Sequence, residues 1–147
     1  MRIKILSVLI LMVLASTTVC EAKMTAMREK IPGGYNFWLY EPDNTNEALS
    51  TDKKPLIIFL HGQSLCGTDL DKVMSYGTMD AIKSGRNLNA YVVGPQNPGG
   101  AWKPSKVADL IDWVIKNYPI DTTRIYLLGM SLGGYGTIDF VATYPKR

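Results

Sequence analysis

The feature that most constrains the fold is a serine between two glycines, directly after an apolar run. The run Arg124–Leu128 leads into Gly-Met-Ser-Leu-Gly, and the residues from Leu132 to about Tyr144 have the character of a helix. A serine on so sharp a strand-to-helix turn takes a strained backbone conformation that projects its hydroxyl from the end of the sheet. Flanking side chains would collide there, and Gly129 and Gly133 leave the space. The pattern therefore predicts a buried strand, a tight turn carrying Ser131, and a helix.

Further strands and helices alternate along the rest of the chain. The predicted strands are Tyr35–Pro42, Pro55–Gly62 and Ala90 to about Pro95, and the predicted helices are Asp69–Ser84 and Ser105–Tyr118. Pro55–Gly62 is a short, continuous apolar run, which suits a strand buried on both faces of a parallel sheet. Ser105 is the expected N-cap of an amphipathic helix that ends before Pro119. This alternation predicts an α/β fold with a largely parallel sheet flanked by helices.

The composition excludes several classes of function. The 147 residues are 46% hydrophobic and 20% charged, as expected for one globular domain. The net charge of +3 is carried by scattered basic residues, so nucleic acid is not an expected partner. No group of Cys, His, Asp and Glu has metal-ligand spacing, and no glycine-rich phosphate loop occurs. We therefore expect neither a metal nor a cofactor.

The first 22 residues predict a secretory signal peptide. Arg2 and Lys4 precede the apolar run Ile5–Leu14, and small and polar residues follow as far as Ala22. Two alternatives are a retained transmembrane anchor, for which the run is short, and a lipoprotein acylated at Cys20. Cleavage after residue 22 predicts a secreted or periplasmic protein that has no stable membrane span and begins at residue 23.

A second candidate constellation is the segment that follows the apolar run Pro55–Gly62. Acyl transfer requires two backbone N–H donors that converge on the developing oxyanion. Leu132, after the serine, supplies the first donor, and Gln63 is the predicted second, with Gly62 letting the loop pass close to the substrate. His61 is predicted to support this loop, and its alternative role is that of the catalytic base.

The segment Pro95–Ser105 is a Pro/Gly-rich loop that leaves the carboxyl end of a predicted strand. Open α/β sheets bind ligands at that end. Trp102 and Gln96 are therefore predicted to contact substrate. The alternative for Trp102 is a packing role at the base of the loop.

The segments "PLIIFLHG", "PQNPGGAW" and "DTTRIYLLGMSLGGYGTIDFVATYP", in this order and spacing, resemble the N-terminal half of a secreted α/β-hydrolase. The resemblance is to bacterial esterases of the polyhydroxybutyrate-depolymerase and feruloyl-esterase kind, and to phospholipase/carboxylesterase types. It implies that 23–147 is the N-terminal part of a catalytic domain with the α/β-hydrolase fold, truncated after the helix that follows Ser131. In that superfamily the acid and the histidine follow the serine in the chain. After Ser131 the chain offers only Asp139, in the predicted helix, so the acid and base are expected beyond Arg147.

The resemblance implies a serine hydrolase that cleaves small-molecule or polysaccharide-linked carboxylic esters through an acyl-enzyme on Ser131, without a cofactor. The isolated chain is expected to be inactive. Two alternatives share the same motifs: a serine peptidase of the prolyl-oligopeptidase type, and a non-catalytic binding module on a hydrolase scaffold.

Overall fold

A computed structural model describes residues 23–43 and 53–147. The predicted signal peptide at 1–22, and the secreted or periplasmic location that rests on it, lie outside these residues. The described strands are β1 (Lys23–Met27), β2 (Phe37–Glu41), β3 (Lys54–Leu60), β4 (Tyr91–Pro95) and β5 (Ile120–Gly129). The described helices are α1 (Gly77–Lys83), α2 (Pro104–Asn117) and α3 (Leu132–Thr143), with 3-10 segments at Gln63–Leu65 and Leu70–Ser75.

Within the described residues the strands form one mixed sheet in the order β1-β2-β4-β3-β5. Strand β3 lies between β4 and β5 and is parallel to both. Strands β1 and β2 are antiparallel to their neighbours, so only the β4-β3-β5 part of the sheet is parallel. The expectation of a largely parallel sheet is corrected to that extent. Strand β1 was not predicted because its five residues, KMTAM, are too few for a strand pattern to be recognised.

Helices cover both faces of the sheet. The buried side of α2, with Val107, Leu110 and Val114, packs in one core cluster with β3 and β2 residues such as Ile58 and Phe37. A second cluster on the opposite face is formed by the following buried residues: Tyr40, Leu70, Val73, Met79, Ile82 and Val92. Neighbouring β4 residues divide between the clusters, because successive side chains of a strand point to opposite faces. Because β3 and β5 are parallel neighbours, their carboxyl ends lie side by side, with Leu60 opposite Gly129.

The predicted helix Asp69–Ser84 is two shorter elements. The 3-10 segment Leu70–Ser75 ends at an extended Tyr76, and α1 begins at Gly77. Gly77 has φ +78°, and a Cβ there would stand 2.4 Å from the Phe59 ring, so the chain turns where only glycine fits. This break determines where the Tyr76 side chain lies.

The start of α2 also differs from the prediction. Lys103 occupies the N-cap position without a side-chain capping bond, Pro104 is in the first turn, and Ser105 therefore does not cap the helix. Proline is favoured there because its φ is already helical and it has no N–H to satisfy.

One side of the described structure is apolar and exposed. Strand β5 pairs with β3 and, within the described residues, with no other strand. Its Tyr126 and Leu128 are exposed, as are Ile138 and Val141 of α3. In the stretches 23–43 and 53–147, no helix combines the length and apolar character needed to cross a membrane.

Candidate active site

Ser131 lies at the turn between β5 and α3 with a strained backbone. Its φ is +53° and its ψ is −117°, a combination that L-residues seldom adopt. Holding one residue in such a conformation costs on the order of 1–3 kcal/mol. The residue is exposed, so the strain presents its side chain at the end of the sheet.

Gly129 and Gly133 are both sterically required. A Cβ on Gly129 would stand 2.1 Å from the carbonyl oxygen of Gly133. A Cβ on Gly133 would stand 1.9 Å from the carbonyl oxygen of Leu60 at the end of β3. Real Cβ atoms do not approach other atoms so closely, so both positions exclude every other residue unless the backbone moves. The turn Gly129–Gly133, here called the elbow, is therefore in backbone contact with β3 beside it.

The Ser131 hydroxyl is not used to hold the structure together. Serine at the start of a helix normally accepts a hydrogen bond from an N–H of the first turn. Ser131 occupies the N-cap position of α3 but makes no such bond. Within 23–43 and 53–147 the structure gives its hydroxyl no hydrogen-bond partner. The strained and exposed serine therefore has no capping role that would account for it.

The loop after β3 lies against the elbow. The Met130 N–H donates to the Leu60 carbonyl at 3.1 Å, which continues the β3–β5 pairing up to the turn. A Cβ on Gly62 would stand 3.4 Å from the Ser131 Cβ. Among the described residues, the N–H groups of Gln63 and Leu132 have no acceptor. One of these unpaired donors directly follows Ser131, and the other directly follows Gly62, in the loop beside it. Their part in an oxyanion hole stays a prediction.

His61 is buried and both of its ring nitrogens are engaged. Nε2 accepts the Asn97 N–H at 3.1 Å, and Nδ1 lies 2.8 Å from the Gly62 carbonyl, to which it donates. The ring packs edge-on against Trp102, with centroids 5.0 Å apart. Burial lowers the pKa of His61 below its usual 6.5, and the bond to the Gly62 carbonyl opposes this shift. The geometry suits the predicted loop support and leaves no nitrogen free to deprotonate Ser131.

Trp102 and Gln96 lie beneath this loop. Trp102 is 2% exposed and donates from Nε1 to the His61 carbonyl at 3.1 Å. Gln96 is 4% exposed and donates from Nε2 to the carbonyls of Leu65 and Gly67. This placement gives both side chains a structural part, because Trp102 Nε1 and Gln96 Nε2 hold the segment 61–67, whereas Gln96 Oε1 has no hydrogen-bond partner among the described residues. Their contact with substrate stays a prediction. For Trp102 it is the packing alternative that the structure describes.

Tyr76 was not predicted to belong to the site. Its hydroxyl accepts the Gly62 N–H at 2.7 Å. The sequence signal is the Tyr-Gly pair that interrupts the predicted helix, since glycine in a helical pattern marks a break. Nothing in the pattern indicates that the break returns the tyrosine to the loop after β3.

The comparisons with known proteins find no matching family model. Among curated proteins, the chain is similar to acetylxylan esterase A of Emericella nidulans, with 24% identity in a gapped alignment of 163 positions that covers 86% of this chain and 48% of the relative. It is also similar to acetylxylan esterase A of Aspergillus ficuum, with 23% identity over 131 residues, 78% of this chain and 40% of the relative. The chain thus spans about half the length of the curated relatives it matches.

Solved structures with a similar fold include a serine hydrolase and an esterase. A fluorophosphonate-binding serine hydrolase of Staphylococcus aureus matches with a TM-score of 0.66 and 19% identity, over 86% of this chain and 54% of that one. A thermostable esterase matches with a TM-score of 0.61 and 22% identity, over 86% of this chain and 39% of that one. The described residues have the α/β-hydrolase fold. The resemblance to esterases with this fold, stated from the sequence, is confirmed.

Asp139 is exposed on α3, two turns after Ser131. In the described stretches, no group of three or more His, Cys, Asp and Glu side chains has the arrangement of a metal site.

Proposed function

We propose that this chain carries the nucleophile and the oxyanion loop of a serine hydrolase that cleaves carboxylic esters. One observation carries the proposal: Ser131 is held at φ +53° and exposed, and its hydroxyl caps nothing. Backbone strain of this kind persists where the surrounding structure enforces it, and it is concentrated at functional sites. Two unpaired N–H groups beside the serine support acyl transfer over other chemistry.

In the proposed reaction, Ser131 Oγ attacks the ester carbonyl carbon and its proton passes to a general base. The carbonyl π electrons move onto oxygen, and the N–H groups of Gln63 and Leu132 donate to that oxyanion. Collapse of the tetrahedral intermediate expels the alcohol, which takes the proton from the base, and leaves an acyl-enzyme on Ser131. Water then releases the acid by the same steps in reverse.

The general base of this reaction is a histidine that we place outside the 147 residues. The sequence contains one histidine, His61, and both of its nitrogens are engaged under the loop. Without its base a serine hydroxyl is a weak nucleophile at neutral pH. We place the acid that orients this histidine outside the 147 residues as well, because Asp139 is displaced along α3 from the serine.

The proposed substrates are small-molecule or polysaccharide-linked esters. The support comes from the names of the curated relatives, which are acetylxylan esterases, and of several similar structures, which are esterases. Assays with acetyl and feruloyl esters would show which acyl groups the full protein accepts.

The test uses the full open reading frame that contains this chain, expressed to its stop codon. A fluorophosphonate probe should label the protein, and peptide mass spectrometry should find the label on Ser131. Ser131→Ala should abolish labelling together with hydrolysis of p-nitrophenyl acetate. Ser105→Ala, which changes an exposed serine at the start of α2, should keep both. Turnover by Ser131→Ala equal to that of the unmodified protein would show that the nucleophile is another residue.

A further inference from the structure

We infer that the Tyr76 hydroxyl is a third oxyanion donor, which hydrogen-bonds the same substrate oxygen as the Gln63 and Leu132 N–H groups. The inference deepens the proposed function and rests on it. The Gly62 N–H donates a 2.7 Å hydrogen bond to the Tyr76 hydroxyl, a contact that the sequence did not indicate.

The hydroxyl and the Ser131 side chain border the same small space. A Cβ on Gly62 would stand 3.0 Å from the Tyr76 hydroxyl oxygen and 3.4 Å from the Ser131 Cβ. In the protein this position is empty, because Gly62 has no side chain. A substrate carbonyl bonded to Ser131 can therefore approach the Gly62 backbone with the tyrosine hydroxyl within reach of its oxygen.

The direction of the hydrogen bond leaves the tyrosine proton available. A phenol has one O–H donor and two acceptor lone pairs. The Gly62 N–H uses one lone pair, and within 23–43 and 53–147 the hydroxyl has no other hydrogen-bond partner. Accepting a hydrogen bond also polarises an O–H group and makes it a better donor. The Gly62 N–H is occupied by this bond and does not itself donate to the substrate. It acts on the substrate oxygen indirectly, by polarising the Tyr76 O–H.

The tyrosine is held rigidly on both sides. Val73 before it and Met79 after it are fully buried, and both lie against Gly94 of β4, where a Cβ would stand 2.7 Å and 2.6 Å from their side chains. The Tyr76 ring packs edge-on against Phe59 of β3, with centroids 6.2 Å apart and planes at 89°. An oxyanion donor is effective when it is fixed in place before the reaction, and this packing provides that.

No proton leaves Tyr76 in the proposed step. As Ser131 Oγ bonds to the carbonyl carbon, the carbonyl oxygen gains the electron pair, and the Tyr76 O–H shortens its hydrogen bond to that oxygen. When the carbonyl re-forms, the bond weakens again. The interaction is thus stronger in the transition state than with bound substrate, and it acts on kcat more than on KM.

The test compares two tyrosines in the full open reading frame. Tyr76→Phe should lower kcat for p-nitrophenyl acetate by on the order of 10²-fold with little change in KM. Tyr35→Phe is the matched control, because the Tyr35 hydroxyl also accepts a backbone N–H, that of Lys103 at 2.9 Å, and its loss should leave kcat unchanged. A wild-type kcat in Tyr76→Phe would overturn the inference.

A second variant separates donation from structural support and also covers a Tyr76→Phe protein that does not fold. 3,5-Difluorotyrosine at position 76 keeps the side-chain shape and is more acidic, so it becomes a phenolate within the assayable pH range. The phenolate still accepts the Gly62 N–H but has no proton to donate, so its kcat relative to wild type should fall as it ionises. Activity retained by the phenolate would overturn the donor role.

The failure of the proposed function has a different signature. If Ser131→Ala keeps full turnover, or if the unmodified protein neither hydrolyses esters nor reacts with a fluorophosphonate, both the proposed function and the role of Tyr76 are wrong. If Ser131→Ala is inactive and Tyr76→Phe is not, only the role of Tyr76 is wrong.

Discussion

Gly133 and Leu60 are in backbone contact, such that a Cβ on Gly133 would stand 1.9 Å from the Leu60 carbonyl oxygen. Leu60 ends β3 immediately before His61 and Gly62, and Gly133 lies two residues after Ser131. The contact therefore fixes the candidate nucleophile and the candidate oxyanion loop relative to each other through main-chain atoms. No flexible side chain lies between them.

Adjacent glycines of α3 should respond oppositely to alanine. Gly133→Ala should cost about 3 kcal/mol or more of unfolding free energy, because neither the added methyl group nor the Leu60 carbonyl can move aside cheaply. Gly134→Ala is the control, since its Cβ would have its nearest neighbour at 3.7 Å, an ordinary contact, and alanine favours a helix over glycine by about 1 kcal/mol. Urea denaturation and fluorophosphonate labelling of the full protein measure both effects. Equal stability of the two variants would contradict the steric account.

Gly62→Ala should reduce catalysis more than stability. Gly62 has φ −79°, which alanine adopts without strain, but the new Cβ would stand 3.0 Å from the Tyr76 hydroxyl and occupy the space beside Ser131. We expect kcat for p-nitrophenyl acetate to fall on the order of 10²-fold, as when one oxyanion donor is lost, with a small change in Tm. An unchanged kcat would remove this loop from the mechanism.

The elements around Ser131 could be predicted from the sequence for a physical reason. The strained turn at Ser131 and its close backbone contacts leave few alternatives to glycine at positions 129 and 133. The apolar runs Pro55–Gly62 and Arg124–Leu128 are typical of buried parallel strands. The predicted strand, turn and helix are therefore close to the observed β5 and α3. The α/β class follows from these local requirements and the alternation of helices and strands, and the α/β-hydrolase fold is what the resemblance implies.

The surroundings of the site were less predictable, because they depend on contacts between distant segments. The Tyr76 hydroxyl reaches Gly62 only because Gly77 turns the chain against Phe59. Trp102 resembles a pocket residue in sequence, but its indole N–H reaches back to the His61 carbonyl and its ring is buried. Such pairings leave no periodic pattern, and their partners can be identified only when the sheet order is known.

Acidification should lower the free energy of unfolding because His61 is buried. Its pKa is lowered in the folded protein, mainly by burial, so below pH 6.5 the unfolded chain takes up a proton that the folded chain does not. The free energy of unfolding should therefore fall as the pH drops below about 6.5, until the folded-state pKa is reached. His61→Gln removes this contribution, so the stability difference between wild type and variant should shrink across the same interval. Urea denaturation of both proteins between pH 8 and pH 5 measures this difference in unfolding free energy. A difference that stays constant over that range would contradict a lowered pKa of His61.

Residues 23–147 expressed alone should self-associate and should not hydrolyse esters. Tyr126, Leu128, Ile138 and Val141 are between 45% and 65% exposed, and among the described residues β5 has a partner strand on one side only. An open strand edge with apolar side chains is a template for pairing with another chain. Serine without a base should give no turnover. Size-exclusion chromatography with light scattering should show a mass that rises with concentration, and Leu128→Lys should lower it. A monomer that unfolds cooperatively, with p-nitrophenyl acetate turnover abolished by Ser131→Ala, would contradict both expectations and would make His61 the first candidate for the base.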